Sequence, residues 1–262
     1  MTEAPPQFAV RLASDRSDLH AAQRLRYRVF VTELGGGGDM VDHDNRREQD
    51  RFDPFFDHLL LLDQARPTAD QVVGVYRLLR ADQAVAAGQF YSEDEYDLAP
   101  LKASGRRLLE LGRSCLHPDY RGGMGMFHLW HALAAYVEAH GIEILFGVAS
   151  FHGTDPQALA APLSLLHHRH LAPADLRVTA RPPGATAMDL IAPDSLDRRA
   201  AMLAVPALIK AYLRLGGFVG QGAFIDRAFN TTDVCLILDV ARMNESQRAI
   251  YTRPVPDRAV QP

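Results

Sequence analysis

Lysine is almost missing from this 262-residue chain: of its 28 basic side chains only Lys102 and Lys210 are lysines. Any anionic partner must therefore be met by arginine, whose planar fork suits carboxylate and phosphate. The net charge of -4 gives no general pull toward nucleic acid, so a local patch would have to do the work. Two cysteines, Cys115 and Cys235, each set in apolar sequence, exclude a disulfide framework and lack metal-ligand spacing. Both read as buried thiols. No apolar run approaches the roughly 18 residues of a membrane-spanning helix, which excludes an integral membrane protein but not one lying on a bilayer. The segment Met1–Val10 carries an acidic residue and two prolines with no basic-then-apolar order, so it does not read as a secretory signal and a cytoplasmic protein is expected. Internal repeats, heptads and low-complexity segments are absent. What is present is a 47% hydrophobic content, enough to fill a core.

Along the chain, 7–13 reads as a first strand and 17–34 as a helix, because Leu19, Ala22, Leu25, Val29 and Phe30 recur at three-to-four spacing, with Asp15 or Ser17 as its cap. Four glycines, 35–38, end it. Residues 39–57 follow as an acidic loop with mostly solvated charges. The apolar runs 58–63 and 72–80 predict an antiparallel hairpin, and 108–117 a further strand. From there Pro118–Gly125 leads into a helix over 126–140, with Phe127, Trp130, Ala134 and Val137 on one side and Gly141 at its end. A buried strand is expected at 142–150, a helix at 199–215, and strands at 218–225 and 234–240. Residues 152–198, with their prolines and glycines and the run His167–His170, read as an irregular insertion or short helices. The expected whole is a single mixed α/β domain, mostly antiparallel, with its core in 7–151 and 199–241 and a loose tail at 252–262.

The first chemical clue is His117-Pro-Asp-Tyr-Arg-Gly-Gly-Met-Gly125, a glycine-rich turn before a helix, where freed backbone amides and Arg121 can hold anionic oxygens. The segment resembles the Gcn5-related N-acetyltransferase (GNAT) family, whose fourth strand leads through an Arg/Gln-x-x-Gly-x-Gly/Ala loop. Met124 stands where the first glycine of that motif is expected. A wider constellation runs through Leu25–Val31, Glu48–Asp53, Gly74–Arg77 and Glu110–Arg113. It resembles the acyl-homoserine-lactone synthases and, more closely, the ornithine N-acyltransferases that make lyso-ornithine lipid. The latter resemblance continues through Leu109–Arg121, Leu129-Trp130, Phe146–Gly153, Pro206–Tyr212, Gly216–Gly220 and Asp226, about residues 8 to 240 in all. A GNAT-like, mostly antiparallel sheet flanked by helices is the fold it implies.

Joining an amine to a thioester needs a neutral amine, a polarised carbonyl and a stabilised thiolate. Glu110, beside Leu108, Leu109 and Leu111, is expected to have a raised pKa and to serve as the base. Glu110 and Arg113 are three apart, so a bulge at Gly112 is expected to turn both into one cleft and free an amide for the thioester oxygen. Arg77, in apolar sequence, needs a partner or a ligand, and Asp50 and Asp53 are candidates as its partners or as ligands for the acceptor's ammonium groups. Arg26, or else Arg28 or Arg77, is the candidate for a substrate α-carboxylate. The resemblance implies Phe30 and Ser150 as further acceptor-binding positions. It also implies Cys115, His117, Arg121, Gly122, Gly123 and Gly125 along the donor's pantetheine. Cys115 and His117 share a strand face, which suggests an acyl-enzyme route, but packing is the preferred reading of an apolar-flanked cysteine. The histidines at 167–170 lack ligand spacing, and no metal is expected.

The function implied is transfer of a (3-hydroxy)fatty acyl chain from acyl carrier protein to the α-amine of an amino acid, ornithine by default. No tightly bound cofactor is expected beyond the acyl-phosphopantetheine of the carrier. An acyl-homoserine-lactone synthase using S-adenosylmethionine is the rival enzyme, and a non-catalytic acyl-carrier-binding domain the rival outside catalysis. Lys102, Arg106 and Arg107, with Arg198, Arg199 and Arg214 as alternatives, are the expected docking charges for the acidic carrier near Arg121. Leu159, Leu163, Leu165 and Leu166 with the 198–214 region offer material for peripheral contact with an anionic membrane; packing onto the core is the competing reading.

Overall fold

Leu59–Leu62 and Val73–Leu79 are apolar on both faces, the pattern of central strands, and the computed structural model, which describes residues 5–244, 246 and 249, places them there. β2 (Asp57–Asp63) and β3 (Val72–Arg80) pair antiparallel, with β1 (Phe8–Leu12) outside β2 and β5 (Leu108–Leu116) beyond β3. β6 (Ile144–His152) runs parallel to β5, and β11 (Thr231–Asp239) antiparallel to β6. The order β1-β2-β3-β5-β6-β11-β10-β8 is completed by β10 (Ala223–Asp226) and β8 (Ala185–Thr186), with β9 (Phe218–Val219) also beside β11. A separate pair joins β4 (Tyr96–Asp97) to β7 (Thr179–Ala180). This is the mixed, mostly antiparallel sheet that the sequence predicts.

The helices differ from expectation in instructive ways. Asp15 is the cap of α1 (Arg16–Arg26), its carboxylate accepting from the Asp18 amide at 2.9 Å. The predicted single helix then widens into a π-helical turn at Tyr27–Glu33, which carries Phe30. α4 (Gly125–Ala139) buries Leu129, Trp130, Leu133 and Tyr136, a stripe shifted from the predicted one. The helix expected at 199–215 is two, α6 (Arg198–Ala204) and α7 (Ala207–Arg214), because Pro206 has no amide to donate and blocks the preceding turn. α2 (Ala81–Ala87) and α3 (Ala99–Ala103) occupy a stretch to which the sequence reading assigns no element.

Residues 152–198 form more than an irregular insertion. α5 (Ala160–His170) buries Leu163, Leu165 and Leu166 in the main core, and β8 extends the sheet. These leucines are therefore withdrawn from any membrane-facing surface. The predicted loose tail at 252–262 lies outside the described residues.

Candidate active site

The site is created by a defect between β5 and β6. Their parallel pairing covers only Leu108–Glu110 against Ile144–Phe146, after which they stop exchanging hydrogen bonds. Gly147 lies at the fork. A Cβ there would sit 2.1 Å from the Leu111 carbonyl oxygen, so glycine is what lets the strands meet and then part. On the other edge of β5, Arg77 faces Gly112 while Val75 faces Cys115, so three steps of β5 oppose two of β3. This is the expected bulge, but its left-handed residue is Arg113 (φ 51°) rather than Gly112.

The splay opens a cleft of about 270 Å³ lined by the β5 bulge, by Ala149 and Ser150 of β6, and by Asp233 of β11, with Phe30, Tyr91 and Asp226 around its walls. Beneath it lies a buried lattice of three arginines and three carboxylates. Arg26 contacts Glu48 at 2.5 Å and Asp53 at 2.7 Å; Arg77 contacts Asp50 at 2.7 Å and Asp53 at 2.8 Å; Arg113 contacts Glu48 at 3.1 Å. Burial pushes Asp53, Asp50 and Glu48 upward, but the neighbouring guanidinium groups outweigh it and hold all three below the usual carboxylate range. Removing one member would strand its partners' charges at a cost of about 3–5 kcal/mol.

This lattice bears on two expectations. Arg26 is fully buried and spends its fork on Glu48 and Asp53, so it is not placed to bind a substrate carboxylate. Of the two roles expected for Asp50 and Asp53, the structure shows the pairing with Arg77, and the loop at 39–57, expected to be mostly solvated, keeps Glu48 and Asp53 almost wholly out of water. Arg77 is likewise buried, its guanidinium 4.3 Å from the Phe56 ring centroid. Arg113 alone of the three lines the cleft, with Tyr91 and Phe229 against its guanidinium at 5.0 and 4.6 Å.

Glu110 has the raised pKa that its setting predicts: burial pushes it up to about 7, against the pull of hydrogen bonds from Ser92 and Tyr91. Its carboxylate, however, is covered. It accepts from the Tyr91 and Ser92 amides at 2.7 Å each and from the Ser92 hydroxyl, is 1% exposed, and does not line the cleft. Two carboxyls line it, Asp226 and Asp233, and burial pushes Asp233 up to about 6. Glu95 and Asp226 stand beside it, the three carboxylates offering oxygens within 4.8 Å of one another. Sequence reasoning does not single out Asp233, Glu95, Tyr91 or Ser92. The Glu93-Asp94-Glu95 run looks solvated, and Asp233 looks like the polar start of a strand; period-two alternation with Cys235 and Ile237, both buried, is the signal that points Asp233 inward.

On the donor side, Cys115 packs with Leu25, Val29 and Val75, and burial pushes its thiol up to about 12, so it holds no thiolate for an acyl-enzyme. His117 is buried at the end of β5, and its Nδ1 accepts from the Asp119 amide at 3.3 Å. Gly122, in the left-handed region (φ 74°), and Gly123 are exposed, whereas Gly125 is buried at the start of α4, where a Cβ would meet Leu61 and the Tyr120 carbonyl at 3.3 Å. Arg121 pairs with Glu33 at 2.5 Å. Of the expected docking charges, Arg106 is tied to Asp239 and Arg107 hydrogen-bonds the Gly141 carbonyl, both before β5, whereas the glycine loop follows it. Besides Arg121, the side chains of Arg24, Arg28, Arg46 and Arg66 lie on this side, and with His117 and Asp70 they line a depression of about 450 Å³. Among the described residues none of these four arginines is in an ion pair.

Residues 25–131 match the acetyltransferase (GNAT) domain family. The chain is 61% identical over 260 residues to an L-ornithine N(alpha)-acyltransferase of Rhodobacter capsulatus, covering 98% of this chain and 100% of the relative. It is 46% identical to that of Brucella abortus, over 92% of this chain and 88% of the relative. Among solved structures it resembles the CoA-dependent acyl-homoserine lactone synthase BjaI (TM-score 0.51, 16% identity, 94% and 88% coverage). It also resembles FeeM, an N-acyl amino acid synthase from uncultured soil microbes (TM-score 0.50, 13% identity, 90% and 93% coverage). At such identities these two likenesses establish the fold, while the relatives of high identity establish the kinship: the chain belongs to the L-ornithine N(alpha)-acyltransferase family, built on a GNAT domain.

Proposed function

We propose that this protein transfers a fatty acyl chain from the phosphopantetheine thioester of acyl carrier protein to the α-amine of L-ornithine, giving a lyso-ornithine lipid. The observation that carries the proposal is the β5–β6 fork, in a chain of this family, opening on one side to a cleft with carboxylates and on the other to apolar space. Past Gly147 a small cavity lined by Leu111 and Leu236 adjoins a larger one of about 300 Å³ bordered by Trp130, Leu133, Val137 and Leu238. Leu145, Tyr212 and Leu238 line both. The lining is mostly apolar, which suits an acyl chain, although Arg107, Glu138 and Glu143 also border the larger cavity.

In this reading the thioester sits at the fork, where strand amides released from pairing are available to the developing oxyanion. Asp233, a carboxyl open to the cleft, takes the amine proton; its pKa of about 6 keeps it ionised at neutral pH yet more basic than an ordinary aspartate. Arg113 supplies positive charge on the cleft wall. Glu110 is assigned a positioning role, fastening the turn that presents Tyr91, whose hydroxyl accepts from Arg113 at 3.2 Å. Arg26, Arg77, Asp50 and Asp53 hold the floor from below. Arg24, Arg28, Arg46 and Arg66 are proposed to receive the acidic carrier, since fields of opposite sign speed encounter.

Mass spectrometry of total lipids from cells expressing the chain tests the reading. Accumulation of an ornithine carrying one amide-linked acyl chain supports it. An unchanged lipid profile, or release of methylthioadenosine with a lactone product, contradicts it.

A further inference from the structure

The carboxylates at the cleft are more numerous than acyl transfer requires. One base suffices to free the amine, yet Glu95 and Asp226 crowd against Asp233, all three offering oxygens within 4.8 Å of one another. Glu95 follows the turn at Tyr91–Asp94, Asp226 ends β10, and Asp233 lies on β11 opposite Ser150. Two of their oxygens, Glu95 Oε2 and Asp233 Oδ1, are buried without a hydrogen-bond donor, on residues only 5% and 4% exposed. A buried carboxylate oxygen without a donor is costly. The cation facing them, Arg113, directs its Nε to Glu48 and its Nη1 to Tyr91 and donates to neither of these oxygens.

We propose that Glu95 and Asp226, beside Asp233, form the recognition site for the side-chain ammonium of a diamino acid, so that the enzyme selects an acceptor by the amine it does not acylate. The inference rests on the acyl-transfer reading above and deepens it. An ammonium brings three donors and a second positive charge to a site in which one oxygen each of Glu95 and Asp233 has no donor. Burial, together with repulsion from Asp233 and Asp226, holds Glu95 well above the usual carboxylate range, a state that a bound cation relieves. The crowding also explains a division of labour: Asp233 faces the cleft where the reacting α-amine arrives, while Glu95 lies deeper and Asp226 fixes the turn that follows it, its Oδ1 accepting from the Ala228 and Phe229 amides at 2.8 and 3.1 Å. An acceptor with a neutral or apolar side chain would leave the buried oxygens without donors, a stronger basis for rejection than any mismatch of shape.

The test compares L-ornithine with L-norvaline, which has the same carbon chain without the terminal amine, using the full-length protein and one acyl carrier donor. Wild type is expected to favour ornithine in kcat/KM by at least about 100-fold. Glu95→Gln and Asp226→Asn should raise the ornithine KM about 10- to 100-fold, leave the donor KM unchanged and reduce that preference to under about 10-fold. The Glu95→Gln protein should keep or raise its Tm, because the carboxyl it loses has no partner to abandon; a lowered Tm with unchanged preference would mark a structural role and overturn the proposal. Norvaline and ornithine being acylated equally by wild type would overturn it while leaving acyl transfer intact, whereas transfer to neither would overturn the function itself. Loss of ornithine turnover on chelation, restored by Mg²⁺, would overturn it too, by showing that the three carboxylates hold a divalent cation instead.

Discussion

Replacing Glu110 by glutamine separates a buried structural carboxyl from a catalytic base. Burial raises this group from 4.5 to about 7. In the unfolded chain it returns to its ordinary value, so the stability it contributes is full below about pH 4.5 and is lost as pH rises through about 7. A rise of that size corresponds to roughly 3 kcal/mol. A glutamine at this position does not titrate, so the variant lacks this slope, but the new amide nitrogen must face the donors of Tyr91 or Ser92, a pH-independent loss of about 1–3 kcal/mol. The variant should therefore be less stable than wild type at pH 5 and as stable as wild type, or more so, at pH 8. Urea unfolding of both proteins at the two pH values, followed by fluorescence of Trp130, the single tryptophan, measures this. A stability gap of the same size at both would refute the burial argument. In activity, Glu110→Gln should lower kcat yet keep the acidic limb near pH 6 that Asp233 sets, while Asp233→Asn should abolish the limb. A Glu110→Gln profile without that limb would make Glu110 the base and refute its positioning role.

Charge reversal of Arg24, Arg28, Arg46 and Arg66 together should raise the KM for acyl carrier protein at least about tenfold at low salt, with the gap closing as salt rises; equal KM values throughout would remove the patch from carrier docking. Gly147→Ala drives a methyl into the Leu111 carbonyl, so activity and several degrees of Tm should both be lost, as thermal melts and turnover will register. Cys115→Ala should keep near-wild-type kcat while losing about 1 kcal/mol of stability from the small void it leaves, and an inactive but folded variant would restore the acyl-enzyme route.

Elements that carry their own periodicity are legible in the sequence. The hairpin β2–β3, the strand β5 and the run through the glycine loop into α4 fall within a residue or two of expectation, because apolar alternation and glycine placement are local signals. The kink at Pro206 is legible too, in the proline itself, but an unbroken apolar stripe across 203–213 outweighs it. What cannot be read is depth. The pairing of Arg77 with Asp50 and Asp53 is legible, but that Arg26 joins the same buried cluster, and spends its fork there, is not. The same holds for Glu110, whose residue type and neighbours announce a raised pKa but whose cover, the turn at Tyr91–Ser92, comes from a segment that carries no periodic signal. The acidic trio joins Glu95 to two positions of the β10–β11 hairpin more than a hundred residues on, so no local spacing marks it.

The most direct measurement incubates the purified protein with 3-hydroxyacyl carrier protein and L-ornithine and fragments the product by mass spectrometry. The account predicts one acyl chain in amide linkage at the α-nitrogen, formed in step with release of the free carrier thiol. Acylation at the side-chain nitrogen, or release of carrier thiol with no acylated ornithine, would contradict it.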